Sequence, residues 1–193
     1  MKRVGITGGI GCGKSTVVAA FGKLGVPCFV ADSVAGTYYS DPAFLKEVRN
    51  ILGDNVFNPD GSADKRAIAA RVFADKELLG CLNALVHPRV MSDFDTFCHQ
   101  HASSPYVLFE SAILYDYGLE SRMDCVICVY LDKEERMQRL MHRDGGDEAA
   151  IRARMNSQMP AEEVMMRADY VILNYEGNPR SRQVSYFDKI LRI

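Results

Sequence analysis

The sequence predicts an α/β protein: a five-stranded parallel sheet with helices on both faces, a helical lobe inserted into it, and a short lid. Three observations carry this. Apolar runs of strand length occur at Arg3–Thr7, Pro27–Ala31, Tyr106–Glu110, Cys125–Leu131 and Tyr170–Leu173, with helix-period segments between them. Strands that are apolar along their length and alternate with helices belong to a parallel sheet covered on both faces. About seventy residues separate the second strand from the third, far more than a crossover needs. The segment Asp144–Met159 is polar, carries the pair Gly145-Gly146 and is bounded by Pro160, a composition suited to a mobile lid.

In chain order, the first strand runs into a glycine-rich turn and then a helical run from Thr16 to Phe21. Leu24-Gly25-Val26-Pro27 closes that helix and opens the second strand. The long interval that follows has helical pattern at Phe44–Leu52, Lys65–Ala74, Glu77–Leu85 and Arg89–His101. Asp41-Pro42 and Asn58-Pro59-Asp60-Gly61 break it. Asp132-Lys133-Glu134-Glu135 is a capping box for the helix after the fourth strand. The last helix, roughly Ser181 to Arg192, sets Val184, Phe187, Ile190 and Leu191 on one stripe. The expected organisation is a nucleotide-binding core made of 1–32, 105–143 and 160–193, a helical substrate lobe at 33–104, and a lid at 144–159.

Bulk properties narrow the class. A chain of 193 residues supports one sizeable core, and 48% hydrophobic with 25% charged residues is ordinary for a soluble globular protein. A net charge of -2 gives no reason to expect nucleic acid or a membrane surface as partner. No apolar run approaches the ~20 residues of a spanning helix, and the first residues are strand-like rather than signal-like, so a cytoplasmic protein is expected. The six cysteines, at 12, 28, 81, 98, 125 and 128, have neither disulfide-framework nor zinc spacing. Cys125 and Cys128 are three apart on a strand, which points their thiols to opposite faces as small buried hydrophobes.

The chemistry begins at Gly8-Gly9-Ile10-Gly11-Cys12-Gly13-Lys14-Ser15, a G-x-x-x-x-G-K-S loop between a strand and a helix, the mark of a P-loop NTPase. Glycines let the backbone wrap an anion so that the amides across Gly11, Cys12, Gly13, Lys14, Ser15 and Thr16 address phosphates. The helix dipole adds positive potential there. Lys14, expected as an exposed cation, reaches the β- and γ-phosphates, and the Ser15 hydroxyl ligates Mg²⁺. Cys12 has two readings: a small side chain turned away from ligand, or a reactive thiolate favoured by the dipole and Lys14.

Other residues also carry two readings each. Asp32, at the end of the second strand, either accepts a proton from a substrate hydroxyl or caps a helix. Glu110, closing the third strand, either holds a Mg²⁺-bound water or is a cap, and Asp116 could approach the same pocket. Arg136, Arg139 and Arg143 share one helical face, either a phosphate clamp or a solvated surface; Arg154 and Arg167 flank the lid. His87, before Pro88, either ends a helix or contacts a ligand.

Taken together, the chain resembles the dephospho-CoA kinase family. The motifs are Thr7–Thr16 (T-G-G-I-G-C-G-K-S-T), Ala31-Asp32, Asp60-Gly61 with Asp64-Lys65 and Val72-Phe73, Leu82–Pro88 (L-N-A-L-V-H-P), Arg139 to Arg143, Gln158, and Ala168–Asn174 (A-D-Y-V-I-L-N). The resemblance implies an adenylate-kinase-like core and transfer of the ATP γ-phosphoryl group to the ribose 3′-hydroxyl of dephospho-CoA. By it, Lys14 and Ser15 serve ATP and Mg²⁺, Asp32 is the general base, Arg139 sits at the phosphates and His87 lies in the acceptor lobe. The clamp reading adds Arg143. The chain departs from the family pattern at Val30, where a second acid often stands, and at Ala112–Asp116, which lacks the usual proline. The nearest rival is a nucleoside monophosphate kinase, but its D-G-x-P-R motif is replaced by Asp60-Gly61-Ser62-Ala63-Asp64. A GTP-binding switch needs N-K-x-D, which the chain lacks.

Overall fold

The computed structural model describes residues 1–144 and 148–193, so the Gly145-Gly146 pair expected in the lid lies outside the described residues. The element order is β1 (Lys2–Thr7), α1 (Lys14–Lys23), β2 (Cys28–Val30), α2 (Ala31–Tyr38), α3 (Pro42–Leu52), α4 (Lys65–Ala74), α5 (Lys76–Gln100), β3 (Tyr106–Glu110), β4 (Cys125–Tyr130), α6 (Lys133–Asp144), α7 (Glu148–Asn156), α8 (Ala161–Arg167), β5 (Tyr170–Leu173) and α9 (Arg180–Leu191). Short 3-10 turns stand at Asp54–Val56 and Leu119–Arg122. These elements form two compact units, one of Met1–Val30 with Cys98–Ile193 and the other of Ala31–Phe97.

In the first unit the five described strands make one parallel sheet in the order β2-β3-β1-β4-β5. All five residues of β3 are buried, as its position between two neighbours and two covered faces requires. On one face Val17, Val18 and Phe21 of α1 and Val184 and Leu191 of α9 pack over Val4, Ile6, Leu108, Ile127 and Ile172. Each such side chain contributes about 1.5–3 kcal/mol by leaving water. Cys125 packs against this cluster, whereas Cys128 is buried outside it. Both are free thiols, and burial pushes them to about 11 and about 12. The α9 helix is fastened by Tyr106, whose hydroxyl donates to Asp188 at 2.7 Å.

Because every strand is parallel, all five C-terminal ends lie along one sheet edge. From β1 the chain crosses to β2 on one side of the sheet, and from β3 it crosses back over β1 to β4 on the other; such a reversal leaves a crevice at the C-terminal ends of the adjacent strands β1 and β3. Two apolar runs extend one residue past their strands. Ala31 already opens α2, and Leu131 is buried but out of the ladder because Asp132 begins the cap of α6.

The second unit is helical. Asp41, Asp64 and Asp75 cap α3, α4 and α5 by accepting from the backbone N–H groups of Ala43, Arg66 and Glu77, each at 2.9 Å. Its core is Phe44, Val48, Leu52, Val56, Ile68, Val72 and Leu82. The expected break at His87-Pro88 does not occur: α5 runs unbroken from Lys76 to Gln100 with Pro88 inside it. Pro88 removes the N–H that would serve the Ala84 carbonyl. Both residues face solvent, so water can take the place of that donor. No helix among the described residues is long and apolar enough to cross a membrane.

Candidate active site

The glycine loop sits where β1 ends, between the ends of β3 and β4. Gly11 and Gly13 have φ of 84° and 88°, and Gly13 is the left-handed N-cap of α1. A Cβ at Gly13 would also run into Nδ2 of Asn174, so both backbone and packing demand glycine there. The loop is stitched by one bond of its own and two from outside. Cys12 N–H donates to the Gly9 carbonyl at 3.1 Å, Ile10 N–H donates to Gln158 Oε1 at 3.0 Å, and Asn174 Nδ2 donates to the Cys12 carbonyl at 2.6 Å. The α1 N-terminus carries no side-chain cap, and Ser15 and Thr16 are exposed at its start, which leaves an anion-binding helix end.

Lys14 is not the exposed cation expected. It folds back over the loop, its Nζ donating to the Gly8 carbonyl at 2.7 Å and standing 4.0 Å from Glu110 Oε1. Both side chains are only 10% exposed. The register that pairs Glu110 with Ile6 of β1 brings that carboxylate under the loop. Cys12 is 1% exposed, and burial pushes its thiol above the ordinary range against the pull of Lys14 and Arg136, opposite in direction to the activation that the dipole and Lys14 would give.

The three arginines of the expected clamp face three different environments. Arg136 is 5% exposed, its guanidinium meeting the position a Cβ would occupy on Gly9. Its Nε has no hydrogen-bond partner among the described residues. Arg139 is part-exposed, donates to the Asn174 carbonyl at 3.1 Å and pairs with Glu135 at 3.5 Å. Arg143 is exposed in the last turn of α6. The Asp116 carboxylate ties down the segment after α7, accepting from Met159 N–H at 2.8 Å. Arg167 lies 4.5 Å over the Tyr115 ring and binds Glu120 at 3.2 Å, which accounts for it structurally. Packing of Ile151 and Met155 of α7 on Leu140 of α6 closes a small cluster beside Ile10 of the loop.

Two candidates belong to the helical unit. Asp32 is exposed in the first turn of α2, where a carboxylate suits the dipole. His87 lies mid-helix in α5, half-buried, and burial pulls its pKa below the usual 6.5. In the same unit Arg89 binds Glu47 at 2.6 Å and lies 5.0 Å over the Phe44 ring, and Tyr38 donates to Asp93 at 2.6 Å.

Residues 2–179 match the family model of dephospho-CoA kinase. The chain belongs to that family. A dephospho-CoA kinase of Anaeromyxobacter dehalogenans is 36% identical over 178 residues, covering 90% of this chain and 84% of its own. A Thermus thermophilus protein of known crystal structure superposes with a TM-score of 0.86 at 31% identity, over 100% of this chain and 97% of its own. The Campylobacter jejuni dephospho-CoA kinase shares the fold with a TM-score of 0.62 at 22% identity, covering 98% and 97% of the two chains. The chain is therefore an ATP-dependent kinase of the P-loop NTPase fold.

Sequence reasoning passed over two loop contacts, Gln158 and Asn174. Both lie inside motifs that mark the family, but a polar residue after a helix and one after a strand carry no local sign of what they touch.

Proposed function

We propose that this chain transfers the γ-phosphoryl group of ATP to the ribose 3′-hydroxyl of dephospho-CoA, giving CoA and ADP in the last step of CoA synthesis. The observation that carries the reading is the loop itself: an uncapped helix N-terminus, a lysine poised over the loop, and an arginine held at 3.1 Å by the Asn174 carbonyl, all in a chain of this family. Amides from Gly11 to Thr16 take the phosphates, Lys14 exchanges the Gly8 carbonyl for the β/γ oxygens, and Arg139 with Arg143 offsets charge on the transferring group.

In the helical unit, which serves as the acceptor lobe, Asp32 takes the proton of the 3′-hydroxyl as the new O–P bond forms. The bond from the γ-phosphorus to the bridging oxygen breaks, and ADP leaves with that electron pair. His87 contacts the acceptor. The segment 144–159 closes over the nucleotide as a lid. Mg²⁺ fits the donor set: exposed Ser15 offers its hydroxyl at the start of α1 and the Glu110 carboxylate lies 4.0 Å from Lys14 at the same loop, oxygen donors of the kind an ion bound mainly through nucleotide phosphates takes. Ser15 would supply its hydroxyl and Glu110 would hold a bound water; the ion would neutralise phosphate charge. The substrates are small molecules of the cytoplasm.

The test is product identity. Incubation with MgATP and dephospho-CoA, followed by phosphorus NMR and mass spectrometry, should give CoA phosphorylated at the 3′ position. A phosphate on any other oxygen, or ATP hydrolysis without transfer, would overturn the reading.

A further inference from the structure

Asn174 stands just past β5, 2% exposed, and three of its groups are engaged in the first unit. Its backbone N–H donates to the Tyr130 carbonyl at 2.9 Å, anchoring it to the end of β4. Its Nδ2 donates to the Cys12 carbonyl at 2.6 Å. Its own carbonyl accepts from Arg139 Nη2 at 3.1 Å. A single buried residue is thus bonded to the phosphate loop through its side chain and to the α6 arginine through its backbone.

The bond to Cys12 has a geometric consequence. In a trans peptide the carbonyl and the following N–H point in opposite directions. No cis peptide bond occurs among the described residues. Fixing the Cys12 carbonyl on Asn174 therefore aims the Gly13 N–H in the opposite direction, within the same peptide plane. The Gly13 residue is the αL N-cap of α1, with φ 88° and ψ 26°. A glycine held only by its own soft torsions could rotate this peptide, and the amide would be lost to an anion at the helix end. Contact between Asn174 Nδ2 and the position of a Gly13 Cβ also leaves the amide group no slack.

We infer that Asn174 is a positioning residue for the nucleotide: it orients the Gly13 N–H for the phosphates and holds Arg139 at the same site, so that the two donors are set together. The inference deepens the kinase reading and rests on the loop being its nucleotide site. Asn174 touches no reacting atom; it acts through Gly13 and Arg139. Lost orientation of one donor to a charged phosphate corresponds to about 10- to 100-fold in affinity.

The isosteric variant Asn174→Asp separates the hydrogen bond from the packing, because it keeps the volume and turns the donor into an acceptor. Calorimetric titration with MgATP, MgADP and pyrophosphate, with no acceptor present, should show each binding about 10- to 100-fold more weakly than to wild type. Affinity for dephospho-CoA should stay close to wild type, whereas the melting temperature of the free protein should fall, because a carboxylate at this 2% exposed position faces the Cys12 carbonyl. The titrations are run well below that temperature. At acid pH the substituted carboxyl protonates and regains a donor, so nucleotide affinity relative to wild type should partly recover. A merely structural role would recover the melting temperature and the affinities for nucleotide and dephospho-CoA together, whereas the positioning role recovers nucleotide affinity while dephospho-CoA affinity stays unmoved throughout. Asn174→Ser, which keeps a shorter donor, serves as the second variant should the first fail to fold, with intermediate loss expected. Equal affinity of wild type and both variants for MgATP and pyrophosphate would overturn the inference, as would loss of dephospho-CoA and nucleotide affinity in parallel. Failure of wild type itself to bind MgATP would instead sink the underlying reading of the loop.

Discussion

Replacement of Lys14 by Met keeps the length and apolar stem of the side chain while removing its charge and three donors. In a free phosphate-binding loop with an exposed lysine, this change would leave the stability of the nucleotide-free protein untouched. Here the ammonium gives up a 2.7 Å bond to the Gly8 carbonyl and a 4.0 Å approach to Glu110, with both side chains only 10% exposed. A hydrogen bond from a charged donor is worth about 1.5–3 kcal/mol. The ion pair adds little net, because its attraction is offset by desolvation of both groups. The expected cost is about 2 kcal/mol, or about 4–8 °C in melting temperature for a chain of this size. Glu110→Gln in the Lys14→Met background removes a carboxylate deprived of that cation and should restore about 1 kcal/mol, a coupling readable in a double-mutant cycle. Calorimetric melts of the four proteins without nucleotide measure this. Saturating MgATP at about 100 times its dissociation constant should then stabilise wild type by about 2.7 kcal/mol and leave the Lys14→Met protein unmoved. Coincident melts of wild type and Lys14→Met without nucleotide, or strict additivity across the cycle, would refute the folded-back lysine.

Other outcomes follow from the same geometry. Asp32→Asn should retain MgATP binding and lose about 10²–10⁴-fold in transfer rate, measured by single-turnover kinetics with both substrates; near-normal turnover would leave Asp32 only its place in the first turn of α2. His87 has a folded pKa below the usual 6.5, so the unfolded chain binds its proton more readily. Stability from this group is therefore full above about pH 6.5 and falls as pH drops through and below that value. Denaturant melts between pH 8 and pH 5 should show the slope in wild type and a reduced one in His87→Gln; equal slopes would count against it. Limited iodoacetamide labelling mapped by mass spectrometry should modify exposed Cys81 long before buried Cys12, with or without ATP, and Cys12 reacting as fast as Cys81 would contradict its burial.

Much of the fold is legible in the sequence because local pattern and tertiary environment agree. The five apolar runs lie in the five strands, since a sheet covered on both faces needs apolar residues at every position and not at alternate ones. The aspartates before α3, α4 and α5 act as caps through a contact only two residues long. Reasoning from the sequence fails where the outcome depends on distant neighbours. Pro88 is an interior breaker by propensity, yet its solvent-facing position lets α5 continue. The dipole and Lys14 would activate the Cys12 thiol in isolation, but burial, which a short run of loop residues does not reveal, reverses the sign. Arg136, Arg139 and Arg143 share a helical face by spacing, while their surroundings differ turn by turn: Arg136 is buried against Gly9, Arg139 is bonded to the Asn174 carbonyl, and Arg143 is exposed in the last turn. Gln158 and Asn174 grip the loop from positions 148 and 162 residues away in sequence, a relation that only the folded chain expresses.

The most direct measurement is ATP turnover by the purified protein at matched concentrations of dephospho-CoA, AMP, CMP or no acceptor, with ADP and phosphorylated acceptor quantified together. One ADP should be released for each CoA formed with dephospho-CoA, and only background turnover should occur with the other three. Comparable transfer to AMP or CMP, or ADP release that no acceptor changes, would contradict the assignment of dephospho-CoA as acceptor.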